Sequence, residues 1–280
     1  MSQTIRVAHS PDSDDAFMFY GLACGAVTSP GLEFVQELSD IESLNQAATR
    51  GVHDVTALSV HAWAHLADRY LLLDSGASLG DGYGPKLVVA RGSRVLRGVE
   101  LGQARIAVPG RWTSAALALS LMLPGHEPVP ADFKEVGRLV AMGKVEAGVV
   151  IHEGQLTARE EGLRVVEDLG EWWKGRTGLP LPLGVNAVKR ALPEPLRRTL
   201  ARVMAETVAY GLDHREAALD HAMKYARGLD RARADEFVRM YVNDFTRELG
   251  PTGREAVVRF LGEAAERGLV PRVPVEFQER

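Results

Sequence analysis

The chain has 280 residues, of which 46% are hydrophobic and 25% charged, and its formal net charge at pH 7 is −4. This profile is typical of a soluble globular protein long enough for two lobes. The scattered Lys and Arg residues exclude the basic surface of a nucleic-acid-binding protein. No apolar run reaches the ~20 residues that cross a bilayer, the N-terminus MSQTIRVAHS lacks the pattern of a secretory signal, and the single cysteine, Cys24, excludes an internal disulfide. We therefore expect a cytoplasmic protein without a nucleic-acid or membrane partner.

The order of the predicted elements indicates an α/β fold. Up to residue 190, short apolar runs alternate with helical patterns, as in parallel βαβ units. The predicted strands are TIRVAHS (4–10), LEFVQEL (32–38), DVTALSV (54–60), KLVVARG (86–92), ARIAVPG (104–110), EAGVVIH (146–152) and LGVNAVKR (183–190). The predicted helices between them are DAFMFYGLACG (15–25), IESLNQAATRG (41–51), VHAWAHLADRY (60–70), TSAALALSLML (113–123) and FKEVGRLVAMGK (133–144). From Pro193 onward, apolar residues recur at helical spacing, so the C-terminal third is predicted to be helical.

One pattern occurs twice and predicts two lobes of similar build. Residues 44–60 and 136–152 each run from a helix through a glycine (Gly51 or Gly143) and an acid (Asp54 or Glu146) into a β-branched strand. The glycine can end the helix in a left-handed conformation, and the acid is expected to cap a turn.

Two extended stretches rich in Gly or Pro, 82–92 and 177–188, are the expected crossings between the lobes. The larger lobe is then residues 1–91 with 183–280, and the smaller, inserted lobe is 92–182. A ligand is expected in the cleft between them, at the carboxyl ends of the strands.

The stretch VVIHEGQ (149–155) places His152 at the carboxyl end of a predicted strand. An imidazole titrates near neutral pH and can exchange a proton with a substrate. A purely structural histidine bonded to a neighbouring carbonyl is the alternative. Glu153 is expected to face solvent, because adjacent strand residues point to opposite faces.

A second candidate is the helix start in RIAVPGRWTSAALALS (105–120). Thr113 and Ser114 are typical capping residues, and the free backbone N–H groups beyond them attract a carboxylate or phosphate. This pattern predicts a site for an acidic substrate, although every helix start shares it.

Two acid- or histidine-rich stretches raise the question of a metal. In HSPDSDDAFMFYG (9–21), Asp12, Asp14 and Asp15 precede a helix, where capping and the helix dipole explain acids better than metal binding does. His61 and His65, in HAWAH, lack the glutamate of a zinc-protease helix. No metal site is expected, and the nucleotide and hydrolase motifs GxGxxG, P-loop and GxSxG are missing. Trp172 and Trp173 are expected to pack in the interior.

Seven motifs, kept in order along nearly the whole chain, resemble the 1,4-dihydroxy-6-naphthoate synthases of the futalosine route to menaquinone. They are HSPDSDDAFMFYGL, DIESLNQAA, ALSVHAW, GDGYGPKLVVARG, VPGRWTSA, AGVVIHEGQLT and DLGEWWKGRTGLPLPLG. The resemblance implies the type II fold of periplasmic solute-binding proteins, with two α/β lobes and two crossings. One departure is the first loop, which reads SPDSDD here and SPCPND-like in well-studied members, and which adds negative charge near the cleft.

The resemblance also implies an activity and a set of site residues. The expected reaction converts cyclic dehypoxanthine futalosine into 1,4-dihydroxy-6-naphthoate and dihydroxyacetone without a cofactor, with His152 as the general base. The residues expected to bind the small anionic substrate are Asn45, Ala57, Leu58, Ser59, Thr113, Ser114 and Ala115.

Two other functions stay open at this point. The fold is also that of solute-binding proteins, which deliver a small anion to a transporter without catalysis. Chorismate dehydratase, from the same pathway and with the same fold, is the second alternative. A homodimer is compatible with the sequence.

Overall fold

The computed structural model describes residues 2–226 and 228–280. Its strands, in chain order, are β1 (Gln3–His9), β2 (Leu32–Leu38), β3 (Val55–Ser59), β4 (Tyr70–Leu73), β5 (Ser78–Gly80), β6 (Lys86–Ala90), β7 (Arg105–Val108), β8 (Glu127–Pro130), β9 (Ala147–Val150), β10 (Leu163–Asp168), β11 (Leu181–Lys189) and β12 (Phe277–Gln278). Its α-helices are α1 (Ser13–Met18), α2 (Tyr20–Ala23), α3 (Ile41–Thr49), α4 (Val60–Ala64), α5 (Ser114–Met122), α6 (Phe133–Ala141), α7 (Gly154–Thr157), α8 (Leu169–Thr177), α9 (Glu194–Asp213), α10 (Arg215–Ala222), α11 (Arg231–Tyr241), α12 (Asp244–Arg247) and α13 (Gly250–Glu266). Short 3-10 turns lie at Gly98–Leu101 and Met223–Tyr225.

These strands form two sheets. The larger has the order β12-β4-β11-β3-β1-β2, with β5 paired to β11, and the smaller has the order β10-β6-β9-β7-β8. One end of each is parallel: β1 pairs with β2 and β3, and β7 pairs with β8 and β9. Antiparallel strands complete both sheets, β11 beside β3 in the larger and β6 beside β9 in the smaller.

The sheets change over along the chain between β5 and β6, and again between β10 and β11. Lys86–Ala90, placed in the larger lobe by the boundary at residue 91, pairs within the smaller sheet. Leu181, placed in the smaller lobe, pairs with Gly80 in the larger sheet. The apolar run of β6 carries no signal for which sheet it joins, so the boundary at residue 91 falls after this strand instead of before it, and the boundary at residue 182 falls inside β11.

The repeated helix–glycine–strand pattern is present in both halves. Gly51 follows α3 with φ +63°, and Gly143 follows α6 with φ +65°, a conformation that glycine adopts without steric cost. Asp54 and Glu146 do not cap turns as expected. Each carboxylate accepts a hydrogen bond of 2.9 Å from the backbone N–H of the neighbouring parallel strand, at Arg6 and Arg105 respectively.

The largest apolar cluster runs continuously between the two sheets. It joins Leu58 and Tyr70 of the larger sheet to Ile106 and Val149 of the smaller one, largely through helices α5, α8 and α13. Trp173 lies in this cluster, fully buried and edge-on to Phe260 at 5.3 Å, which confirms its predicted packing role. The shared core fixes how the two sheets face each other.

Candidate active site

A cleft lies between the two sheets and encloses about 720 Å³ of empty space, part of it open to solvent. Its walls are built where strands end: Ser10 follows β1, Ser59 ends β3, and Ile151 and His152 follow β9. This is the edge where open α/β sheets bind ligands. The other lining residues are Asp14, Asp15, Ile41, Ala57, Leu58, Gly76, Ser78, Pro85, Ser114, Ala115, Gln155, Leu183, Gly184, Val185, Asn186, Phe237 and Tyr241.

His152 projects into this cleft from a strained backbone. Its φ of +51° is the one positive value that a non-glycine residue adopts in the described part of the chain, and such backbone costs on the order of 1–3 kcal/mol. The ring packs edge-on against Phe133 at 5.0 Å. Its Nε2 atom is buried and makes no hydrogen bond to residues 2–226 or 228–280.

The other ring nitrogen of His152 is held by a carboxylate from the opposite lobe. His152 Nδ1 lies 3.0 Å from Oδ2 of Asp12, which is 1% exposed. The same oxygen accepts a hydrogen bond of 2.7 Å from the Ser10 hydroxyl. Burial lowers the pKa of His152, but the charge and hydrogen bond of Asp12 outweigh it, and with Asp14 and Glu153 nearby the pKa rises to about 9.

Two further acids stand beside this pair. Asp14 lines the cleft, and its Oδ1 is buried without a hydrogen-bond partner. Burial and the neighbouring carboxylates of Asp15 and Asp12 raise its pKa well above the ordinary range, against the opposing charge of His152. Asp15 accepts a hydrogen bond of 2.7 Å from the Ser10 backbone N–H, and burial again raises its pKa. The aspartate-rich loop therefore forms part of the cleft wall.

One wall of the cleft carries no ionisable side chain among the described residues. It is formed by the end of β3, the first turn of α5 and the middle of β11. Ser114 ties these elements together, since its hydroxyl donates to the Leu183 carbonyl at 2.6 Å and accepts from the His61 N–H at 3.3 Å. The N–H groups at the start of α5 make this wall favourable for an anion.

The predicted site residues fall into two groups. Those that line the cleft are Ala57, Leu58, Ser59, Ser114, Ala115 and His152. The structure places Asn45 and Thr113 behind the cleft wall rather than on it. Asn45 is fully buried and its amide makes two hydrogen bonds with Ser59, at 3.0 and 3.2 Å. Thr113 caps α5 by accepting from the Ala116 N–H at 3.2 Å, so its hydroxyl supports the helix.

The sequence analysis did not find the residues that the C-terminal helices contribute. Phe237 and Tyr241 of α11 reach the cleft, and the Tyr241 hydroxyl donates a hydrogen bond of 2.7 Å to Gln155 Oε1 on the opposite lobe. Both helix residues follow an ordinary amphipathic pattern, which carries no signal of a site. Glu153, expected to face solvent, is 6% exposed because the chain turns at His152 instead of continuing the strand.

His61 and His65 have a structural role. His61 Nδ1 lies 3.2 Å from the Thr113 carbonyl oxygen, and burial lowers the pKa of His61 to about 4. The His65 ring stacks on Trp112 at 5.1 Å. Within residues 2–226 and 228–280, no group of three or more His, Cys, Asp or Glu side chains could hold a metal ion, and no helix is long and apolar enough to cross a membrane.

Comparison with known proteins gives near-full-length matches. A family model described as "Menaquinone biosynthesis" matches residues 5–266. The 1,4-dihydroxy-6-naphtoate synthase of Thermus thermophilus is 43% identical over 273 residues, which cover 97% of this chain and 98% of that protein. The protein of the same name from Streptomyces coelicolor is 36% identical over 277 residues, covering 96% of each.

Three solved structures also match over nearly the whole chain. Protein AF1704 from Archaeoglobus fulgidus has a TM-score of 0.88 and 44% identity, covering 95% of this chain and 98% of that one. The alkanesulfonate-binding protein SsuA from Xanthomonas axonopodis, bound to MOPS, has a TM-score of 0.71 and 13% identity, covering 99% and 97%. The Candida albicans CA3427 product, described as having the generic periplasmic binding protein fold, has a TM-score of 0.70 and 14% identity, covering 97% and 92%. The predicted fold class is thereby confirmed.

Proposed function

Because the chain belongs to the menaquinone biosynthesis family, we propose that it is a carbon–carbon lyase that converts cyclic dehypoxanthine futalosine into 1,4-dihydroxy-6-naphthoate and dihydroxyacetone. The observation that carries this proposal is the near-full-length identity of 43% and 36% to two proteins named for the synthesis of that naphthoate. The activity implies a cytoplasmic location, since a biosynthetic enzyme acts where its substrate is made.

His152 is the proposed general base. His152 lines the cleft, and no described residue makes a hydrogen bond to its Nε2 atom, which leaves this nitrogen to take a proton from a substrate bound there. Asp12 holds Nδ1 at 3.0 Å and stabilises the imidazolium that forms when Nε2 takes the proton. Asp12 is therefore a positioning residue, and its charge makes His152 a stronger base than a free imidazole.

The wall formed by the end of β3 and the start of α5 is the proposed site for the substrate carboxylate. Ser59, Ser114 and Ala115 line it beside the N-terminus of α5, where backbone N–H groups favour negative charge. A carboxylate bound there would orient the substrate with its sugar-derived part toward His152, and such orientation supplies much of the rate in a reaction driven by aromatisation.

The alternative of a solute-binding protein has less support. The sulfonate-binding neighbours share the fold at 12–14% identity, and a strained histidine paired with a buried aspartate is an arrangement that ligand capture alone does not require. Chorismate dehydratase is disfavoured by the names of both curated relatives. The homodimer remains a prediction.

The first test is turnover. The purified protein is incubated with cyclic dehypoxanthine futalosine, and 1,4-dihydroxy-6-naphthoate and dihydroxyacetone are quantified by mass spectrometry. The wild type is expected to form both products in equal amounts, and His152→Ala to be slower by about 10²–10⁴-fold. Tight binding without product would favour a binding protein, and conversion of chorismate instead would favour the dehydratase.

A further inference from the structure

One carboxyl group in the cleft is left unexplained by the proposed role of His152. Asp14 is 8% exposed, lines the same cleft as His152, and belongs to α1 of the opposite lobe. Its Oδ1 is buried and makes no hydrogen bond to any residue that the structure describes. A buried carboxyl group is costly unless it is paired or protonated, so this one calls for a partner from outside the protein or for a bound proton.

Asp12 and Asp15 differ from Asp14, because one carboxylate oxygen of each has a partner within the protein. Asp12 faces the His152 ring at 3.0 Å and accepts the Ser10 hydroxyl. Asp15 accepts the Ser10 backbone N–H. The loop thus uses two of its three carboxyl groups to hold its own shape and the histidine, and it presents the third to the cleft.

We propose that Asp14 is a second catalytic residue, which donates a proton to the substrate while His152, on the other lobe, removes one. This inference rests on the proposed function and deepens it. Asp14 would act as the general acid and His152 as the general base, each on its own lobe. Two groups with separate acid and base roles are common in enzymes that transfer protons.

The proposed step conserves the number of protons on the substrate. His152 removes the proton of a hydroxyl on the carbon beside the scissile C–C bond, and the oxygen's electron pair forms a C=O bond as the C–C bond breaks. The bonding pair stays on the three-carbon fragment, which takes the proton from Asp14 and leaves as dihydroxyacetone. The new ketone enolises to complete the aromatic ring. One proton leaves the substrate and one returns, so no oxidant or reductant is needed.

The charges around Asp14 favour this division of roles. The ionisable groups that face it are Asp12 and Asp15 on its own loop, His152 and Glu153 on the opposite lobe, and Tyr241 of α11. Burial comes first in raising the pKa of Asp14, followed by Asp15 and Asp12, and the charge of His152 opposes them. When His152 gives up its proton to become the base, that opposition disappears, and Asp14 holds its own proton more tightly.

The test compares Asp14→Asn with a surface control, Asp68→Asn, which replaces an exposed aspartate remote from the cleft. Asparagine keeps the shape of the side chain and removes its titration. We expect kcat of Asp14→Asn to fall by about 10²–10⁴-fold with KM nearly unchanged. In the wild type, the rate should decline at alkaline pH as Asp14 loses the proton that it donates. We expect this decline to disappear in Asp14→Asn. Asp68→Asn should match the wild type in both measurements.

Two further measurements keep the result decisive. The Kd of each variant for 1,4-dihydroxy-6-naphthoate, measured by calorimetry, reports whether the cleft is intact. Asp14→Glu keeps a titrating carboxyl group and should retain the alkaline decline at a reduced rate. A variant that binds product normally but raises KM with kcat and the pH profile unchanged would overturn the assignment, because Asp14 would then only bind substrate.

The two proposals fail in different ways. If the wild type forms no product, the proposed function is overturned, and the role of Asp14 falls with it. If the wild type and Asp14→Asn turn over equally well, the function stands and only the role of Asp14 is overturned.

Discussion

At the scale of single residues, the centre of the site is an imidazole whose two nitrogens have different surroundings. Nδ1 of His152 is committed to Asp12, while Nε2 is left for the cleft. The backbone at His152 is strained, because it adopts a left-handed φ of +51° in presenting the ring. A carboxylate of this kind sets both the orientation and the basicity of the histidine.

Replacing Asp12 tests that arrangement. Asp12→Asn removes the charge that outweighs burial, so the pKa of His152 should fall from about 9 toward or below its ordinary 6.5. We expect kcat to drop by about 10²-fold and the rising limb of the pH–rate profile to move to lower pH. A rising limb that stays in place would contradict the role given to Asp12. Ser10→Ala, which removes only the hydroxyl bonded to Asp12, should shift the limb far less.

At the scale of elements, the cleft depends on a close approach between the loop before β5 and strand β11. Gly76 has φ +80°, and a Cβ atom there would lie 2.1 Å from Asn186 Nδ2, whose amide donates to the Gly76 carbonyl at 3.2 Å. Both residues line the cleft. A side chain at position 76 therefore disturbs the backbone and a buried hydrogen bond together.

Gly76→Ala should lower the free energy of unfolding by about 2–4 kcal/mol, through left-handed strain and the lost hydrogen bond. Gly25→Ala is the matched control, because Gly25 has φ +73° with no atom within 4 Å of the added Cβ. Its expected cost is about 1 kcal/mol. Denaturant unfolding measures both, and equal losses would show that the contact with Asn186 contributes nothing.

What the sequence could predict follows from which signals are local. The two helix–glycine–strand units were predicted because a helical period, a glycine and a β-branched run follow each other directly. The strands β4, β5, β8, β10 and β12 were missed, since short runs such as YLLL at Tyr70–Leu73 carry too few residues to show a period.

The site divides in the same way. His152 could be predicted from its place at a strand end, and the lining by Ser59 and Ser114 from strand and helix ends. The pairing with Asp12 and the contribution of Tyr241 could not, because each depends on how segments far apart in sequence pack across the cleft. Asn45 in α3 and Thr113 before α5 are polar residues near the cleft, but their side chains make hydrogen bonds with Ser59 and Ala116 instead of facing a ligand.

At the scale of the whole molecule, the Asp12–His152 pair links stability to pH. The pKa of His152 rises from 6.5 in the unfolded chain to about 9 in the folded protein. The pair's contribution is therefore fully present below pH 6.5 and is lost as pH rises through about 9. Its upper limit is about 3 kcal/mol, from 1.36 kcal/mol per pKa unit.

The measurement is the difference in free energy of unfolding between the wild type and Asp12→Asn as a function of pH. The difference should be largest near pH 6 and should shrink steadily toward pH 9.5. Other groups that titrate in this range are common to both proteins and largely cancel. A difference that stays constant or grows with pH would mean that Asp12 does not stabilise the protonated form of His152 in the folded protein.

The position of that pair, with one partner on each lobe, also makes the basicity of the histidine depend on how the lobes are held together. Asp12 follows β1 of the larger sheet and His152 follows β9 of the smaller one. Any movement that separated the lobes would take the carboxylate away from Nδ1 and return His152 toward the basicity of a free imidazole. The apolar core shared by the two sheets therefore also maintains the strength of the base.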